Sequence, residues 1–169
     1  MTYGFTGTPE DSLTALFDNF DHSRQGGPSA HAYFRYALLC LVRLHDRVAV
    51  VGPVDPERLR RFRRESGEAL VSFSRDIVAY VTDTTYLAEE ASDDELYELC
   101  IRRSEIQFLV DDYEGTAVAA LVNLSEVAQL DDDLRRVGEE QGPLPEPFVP
   151  KGLPASHWWW HQPRAAGST

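Results

Sequence analysis

The sequence predicts an all-α protein: an antiparallel bundle of four main helices with a short helix before it and an extended Pro/Trp-rich tail after it. Three observations carry this. Apolar residues recur at i, i+3, i+4 and i+7 in five successive segments. Capping residues, glycines and prolines bound those segments. No stretch alternates apolar and polar residues between hairpin turns. A chain of 169 residues, 43% hydrophobic and 26% charged, is long enough for one ordinary core that needs neither metal nor disulfide.

The short helix starts at Thr8-Pro9-Glu10-Asp11, where a threonine cap, a proline at the first helical position and two acids meet. Leu13, Leu16, Phe17 and Phe20 form its stripe, and Gly26-Gly27-Pro28 breaks the chain. Ser29 opens the first main helix, with Phe34, Ala37, Leu38, Leu41, Leu44 and Val48 on one face and Gly52-Pro53 as its stop. Asp55-Pro56-Glu57 starts the next, whose stripe of Leu59, Phe62, Leu70, Phe73, Ile77 and Tyr80 runs to about Asp83. The β-branched Thr82, Thr84 and Thr85 weaken it there. Ser92-Asp93-Asp94-Glu95 has the form of a capping box, and the helix behind it reaches Gly115. The last helix is expected from near Thr116 to Gly138, small at first (Ala117, Ala119, Ala120) and then apolar at Leu121, Leu124, Val127, Leu130, Leu134 and Val137.

Residues 1–141 therefore read as the helical domain and 142–169 as a tail that packs on the bundle or on a partner. Pro143, Pro145, Pro147, Pro150, Pro154 and Pro163 make the tail extended. It holds Ser156-His157-Trp158-Trp159-Trp160-His161, with all three tryptophans of the chain. Three consecutive indoles cannot all face one way, and a free cluster would aggregate, so at least two are expected to dock.

The net charge of −12 argues against direct binding to nucleic acid. Acidic doublets and a triplet (Glu89-Glu90, Asp93-Asp94, Asp111-Asp112, Asp131-Asp132-Asp133, Glu139-Glu140) fall in the second half of the chain. They suit solvated helix faces, a basic partner or a nucleic-acid mimic. Arg58, Arg60, Arg61, Arg63 and Arg64 crowd one helix start instead. They read as an ion-pair network within the protein or as a charged interface, and the segregation of charge points to self-association. Lys151 is the only lysine, which suggests a GC-rich bacterial genome.

Catalytic signatures are missing: there is no G-x-S-x-G and no phosphate-binding glycine loop. The residues three before each histidine are Asn19, Pro28, Val42, Pro154 and Trp158, so the di-iron motif Glu-x-x-His does not occur. His157 and His161 would share a face on an α-helical turn, but tryptophans stand where a metalloprotease has its glutamate, and no metal or cofactor is expected. Cys40 and Cys100 lie in apolar surroundings and read as buried thiols. Met1–Pro9 lacks a signal peptide's basic and apolar regions, and the longest strongly apolar run, Ala37–Val42, is too short to span a membrane; a cytoplasmic location is the expectation.

These readings favour a small acidic binding or regulatory protein, accessory or inhibitory, acting through protein contacts and forming a homo-oligomer. The alternative is a small-molecule-binding bundle or an enzyme of a bacterial specialised pathway. Its pocket would be lined by Tyr33, Tyr36 and His45, near His31, and closed by His157, Trp158, Trp159, Trp160 and His161.

Overall fold

The computed structural model describes residues 4–92 and 94–162, and every regular element among them is a helix. The order is α1 (Pro9–Arg24), α2 (Ala30–Val50), α3 (Pro56–Val71), α4 (Ser74–Glu89), α5 (Leu96–Asp111), α6 (Ala117–Ala120) and α7 (Leu124–Gln141), then 3₁₀ turns at Glu146–Phe148 and Trp158–His161. No described helix is long and apolar enough to cross a membrane.

The N-terminal signals act as their chemistry requires. Asp11 N–H donates to Thr8 Oγ1 at 3.2 Å and Thr8 N–H to Asp11 Oδ2 at 2.8 Å, the reciprocal pair of a capping box. Asp55 accepts from Arg58 N–H at 2.9 Å at the start of α3. The Ser92 box is only half made: Ser92 N–H donates to Glu95 Oε2 at 2.8 Å, but Asp94 has φ 78° and the helix begins later, at Leu96. A left-handed residue cannot lie in a right-handed turn.

Two of the four expected main helices are each two helices. The one expected from Pro56 to about Asp83 breaks at Ser72-Phe73. There the Ser72 hydroxyl donates to Ala69 C=O at 2.5 Å and Ser74 to Val71 C=O, serine bonds that compete with the helical ladder. The turn seats Phe73 against Phe20 (centroids 4.9 Å apart) and Phe34 (5.5 Å). Beyond it α4 runs past the threonines to Glu89, because Thr84 and Thr85 bond the carbonyls of Tyr80 (2.7 Å) and Val81 (3.0 Å) one turn back. The expected final helix breaks where Asn123 Oδ1 caps α7 through Ser125 N–H (3.0 Å) and Glu126 N–H (3.5 Å). Gly138 does not end α7, which continues to Gln141. It makes room: a Cβ there would lie 2.1 Å from Gln162 Oε1.

Helix α5 is the axis of the fold. Its buried residues include Leu99, Cys100, Ile101, Ile106, Phe108 and Leu109, and also the consecutive polar Arg103, Ser104 and Glu105. A helix buried all round has no solvent stripe to spare. The tail completes its cover. Gly152 N–H donates to Asp46 Oδ1 at 2.9 Å where the tail crosses α2, so closely that a Cβ on Gly152 would lie 2.4 Å from Asp46 C=O. Trp159 and Trp160 then enter the same apolar cluster as the bundle residues.

Candidate functional site

Ser104, in the middle of α5, organises the tail. Its Oγ accepts the indole N–H of Trp159 at 3.0 Å and of Trp160 at 2.9 Å. Both lone pairs are then used, so the hydroxyl proton goes to the third partner, His157 Nδ1 at 2.9 Å. That fixes the His157 tautomer: Nδ1 accepts and the proton sits on Nε2, a buried atom without a hydrogen-bond partner. Burial, with Arg103 adding to it, pushes the His157 pKa down to about 4.

The rings around this hydroxyl form a continuous stack. His157 lies on Trp159 (4.6 Å), with the Arg103 guanidinium 4.4 Å from the Trp159 ring centre. Arg103 is in turn held by Asp131, Nε to Oδ1 at 2.6 Å and Nη2 to Oδ2 at 3.3 Å. Trp158 is half-buried, edge-on to Trp159 with Arg135 over its other side at 4.6 Å. Trp160 meets Tyr97 edge-on at 5.9 Å. His161 is exposed while His157 is buried. The shared face expected of them needs an α-helical turn; in the observed 3₁₀ turn residues i and i+3 are aligned, and i and i+4 are not. Among the described residues no three His, Cys, Asp or Glu side chains are grouped to hold a metal.

His45 joins this region from α2. It stacks on Phe108 at 3.8 Å, and Phe108 touches His157 at 4.7 Å. Its Nε2 lies 2.8 and 3.0 Å from the two Asp112 oxygens, and Arg63 of α3 approaches the same carboxylate at 3.6 Å. No activated nucleophile faces this pair among the described residues. Ser104 is fully buried with both lone pairs taken by the Trp159 and Trp160 indoles, and burial pushes the Cys40 thiol up to about 11 and Cys100 higher still.

The structure does not bring Tyr33 and Tyr36 to His45. Nine residues of α2 separate Tyr36 from His45, about 13 Å at 1.5 Å per residue. Tyr33 stacks instead on His22 at 4.9 Å, Tyr36 stands edge-on to it at 6.3 Å, and His31 is exposed. The single wall expected from these residues is two separate places on one helix.

The five arginines of α3 divide. Arg61 pairs within its own helix with Glu65 (3.8 Å) and Arg63 reaches Asp112. Arg58, Arg60 and Arg64 are exposed and have no ion-pair partner among the described residues. With Asp55, Glu57 and Arg61 they line a surface groove of about 440 Å³. The expected network with the protein's own acidic helices is thus confined to one contact, while Glu98 pairs with Arg35 and Arg102, Asp131 with Arg103, and Asp133 and Glu140 with Arg136.

No family model matches the chain, and no curated protein or solved structure is similar to it.

Residues that sequence reasoning passed over hold much of this chemistry. Arg103, Ser104 and Glu105 have the look of a solvated face. Only their helix's apolar residues on every side, Leu99 to Ile101 before them and Ile106 to Leu109 after, hint at burial. Glu105 accepts the Tyr80 hydroxyl, and burial pushes its carboxyl up to about 8. A cleft of about 790 Å³ also opens where the tail leaves α7, lined by Leu96, Tyr97, Glu140, Leu144 and Phe148.

Proposed function

We propose that this chain is a binding protein of accessory or inhibitory kind, acting in the cytoplasm through protein contacts, with the exposed face of α3 as its docking surface for an acidic partner. One observation carries the reading. On a chain of net charge −12, Arg58, Arg60 and Arg64 stand exposed on one helix with no ion pair to a carboxylate among the described residues, although acids are plentiful. In the first turn of α3, Arg58 also opposes the helix dipole, a local cost of roughly 0.3–1 kcal/mol that an acidic partner removes. Arginine suits that role because its planar fork grips carboxylates in pairs.

A second copy of the chain is the partner its own charge favours. Glu89, Glu90, Glu139 and Glu140 are exposed at the C-terminal ends of α4 and α7. Arg136 bonds the carbonyls of Ala88 (2.8 Å) and Glu89 (3.2 Å), so these two ends lie side by side and form one acidic region. Carboxylates at helix C-termini are as poorly placed as arginines at an N-terminus, and a contact between the two surfaces relieves both.

The test uses poly-glutamate as the probe. Binding measured by fluorescence anisotropy should be salt-sensitive and should drop at least roughly tenfold, about 1.4 kcal/mol, when Arg58, Arg60 and Arg64 are changed together to glutamate. An unchanged affinity in a variant that melts like the wild type removes the α3 surface from the function.

A further inference from the structure

A second site lies on another face of α5 from the one the tail covers and is independent of the α3 surface. Glu105 is 3% exposed. Its Oε2 accepts the hydroxyl of Tyr80 from α4. Its Oε1 accepts no hydrogen bond from the described residues, and Glu105 forms part of the wall of a cavity of about 210 Å³. The other walls are Ala32, Tyr36 and Leu39 of α2 and Ile101 of α5, with Arg35 and Glu98 also lining it.

The cations near this carboxyl do not serve it. Arg35 Nη2 and Arg102 Nε both donate to Glu98 Oε1, the latter at 2.9 Å. Arg102 also lies over the Tyr80 ring at 5.4 Å. Glu105 is thus a buried acid in the cavity wall with one oxygen bonded to Tyr80, the other without a hydrogen bond from the described residues, and no counter-charge in contact. A buried carboxylate of this kind is costly unless something positive meets it. The cavity holds the volume of about seven waters at ~30 Å³ each, which sets the ligand at the size of a small organic fragment. Tyr36 is 55% exposed, and its ring is available to a cation as well as to an apolar body.

We propose that the cavity between α2 and α5 binds a small organic ammonium ion, its charged nitrogen on Glu105 Oε1 and its apolar body against Leu39, Ile101 and the Tyr36 ring. Binding ionises the carboxyl, which releases its proton to solvent as the ammonium takes its place. The charged and titratable groups facing Glu105 are Arg35 and Cys40 from α2, Tyr80 from α4, and Glu98 and Arg102 from α5. Burial holds the Cys40 thiol at about 11 and the Tyr80 hydroxyl well above its ordinary range. The proton released near neutral pH is therefore that of Glu105, whose carboxyl sits at about 8.

The experiment is a titration of the full chain with phenethylammonium, and with 2-phenylethanol as its uncharged counterpart, read by amide NMR shifts and calorimetry. The ammonium should shift the amides of α2 around Leu39 and of α5 around Ile101. Its affinity should rise up to roughly tenfold per pH unit until about pH 8 and then level off, with a proton released on binding. The alcohol should bind more weakly and show no such dependence. In Glu105→Gln, which keeps an acceptor for Tyr80, ammonium binding should fall at least roughly tenfold while alcohol binding stays. Should that variant fail to fold, the pH series on the wild type decides alone. Equal binding of the two probes, binding of the ammonium without proton release, or no saturable shift from it at any pH overturns the proposal.

Discussion

Two buried ionisable residues give the protein opposite responses to pH. His157 has its pKa lowered from 6.5 to about 4, so as pH falls below about 6.5 the unfolded chain takes up a proton that the folded chain refuses, and stability drops. Glu105 has its pKa raised from 4.5 to about 8, so the folded chain holds a proton that the unfolded chain releases, and stability drops as pH rises from about 4.5 to about 8. Between about 4.5 and 6.5 the two slopes oppose each other. Above 6.5 only Glu105 acts, and the protein should lose about 2 kcal/mol on going to pH 8, at 1.36 kcal/mol per pH unit. Urea melts across pH should show this decline in the wild type and a flat line in Glu105→Gln; a decline that persists in the variant assigns it to another group. Ser104→Ala is the sharpest single change, since it strands two indole N–H groups and the His157 acceptor in the core. It should cost about 3 kcal/mol in the same assay, and a loss below ~1 kcal/mol would mean that the three groups find other partners. The roles of Ser104 and Glu105 were not legible in the sequence. A serine and a glutamate between apolar residues on a helix look alike whether they face water or the core, and only the tail and α4, brought in from 55 and 25 residues away, decide it.

At the scale of elements, local signals predicted starts better than breaks. Thr8 and Asp55 cap helices because the bonds they make are with residues three positions on, wholly present in the sequence. The break at Ser72-Phe73 was hidden because Leu70, Phe73, Ile77 and Tyr80 keep a helical spacing across it. A turn of about three residues advances the chain by nearly one helical turn, so the stripe stays in phase. Phe73 anchors that turn between Phe20 and Phe34, and Phe73→Ala should cost roughly 3–5 kcal/mol in chemical denaturation, far more than Ser72→Ala or Ser74→Ala. Comparable losses for all three would place the cause of the break in the serine bonds instead. The tail was legible as something that must dock, from three indoles in a row, but its surface was not. Each indole covers on the order of 200 Å², several kcal/mol together at ~25 cal/mol per Å². Deleting residues 155–169 should therefore lower the melting temperature sharply and open α5 to an apolar dye; an unchanged melting point contradicts the role of the tail as α5's cover.

For the whole molecule, composition indicated the acidic excess, while the distribution of ion pairs had to come from the structure. The all-helical architecture followed from periodicity alone. Glu98–Arg102 and Asp133–Arg136 are local pairs three or four positions apart, but the pairing of Asp131 with Arg103 and of Glu98 with Arg35 joins different helices and followed from nothing in the sequence. Self-association, as proposed, pairs the arginine face of α3 with carboxylates of a second copy. Sedimentation velocity of the wild type and of the Arg58→Glu, Arg60→Glu, Arg64→Glu triple variant tests it most directly, run from ~0.01 M to ~1 M salt, where the screening length falls from ~30 Å to ~3 Å. The wild type should associate at low salt and dissociate as salt rises, and the triple variant should stay monomeric throughout. A wild type that is monomeric at low salt and high concentration, or a triple variant that associates as the wild type does, contradicts it.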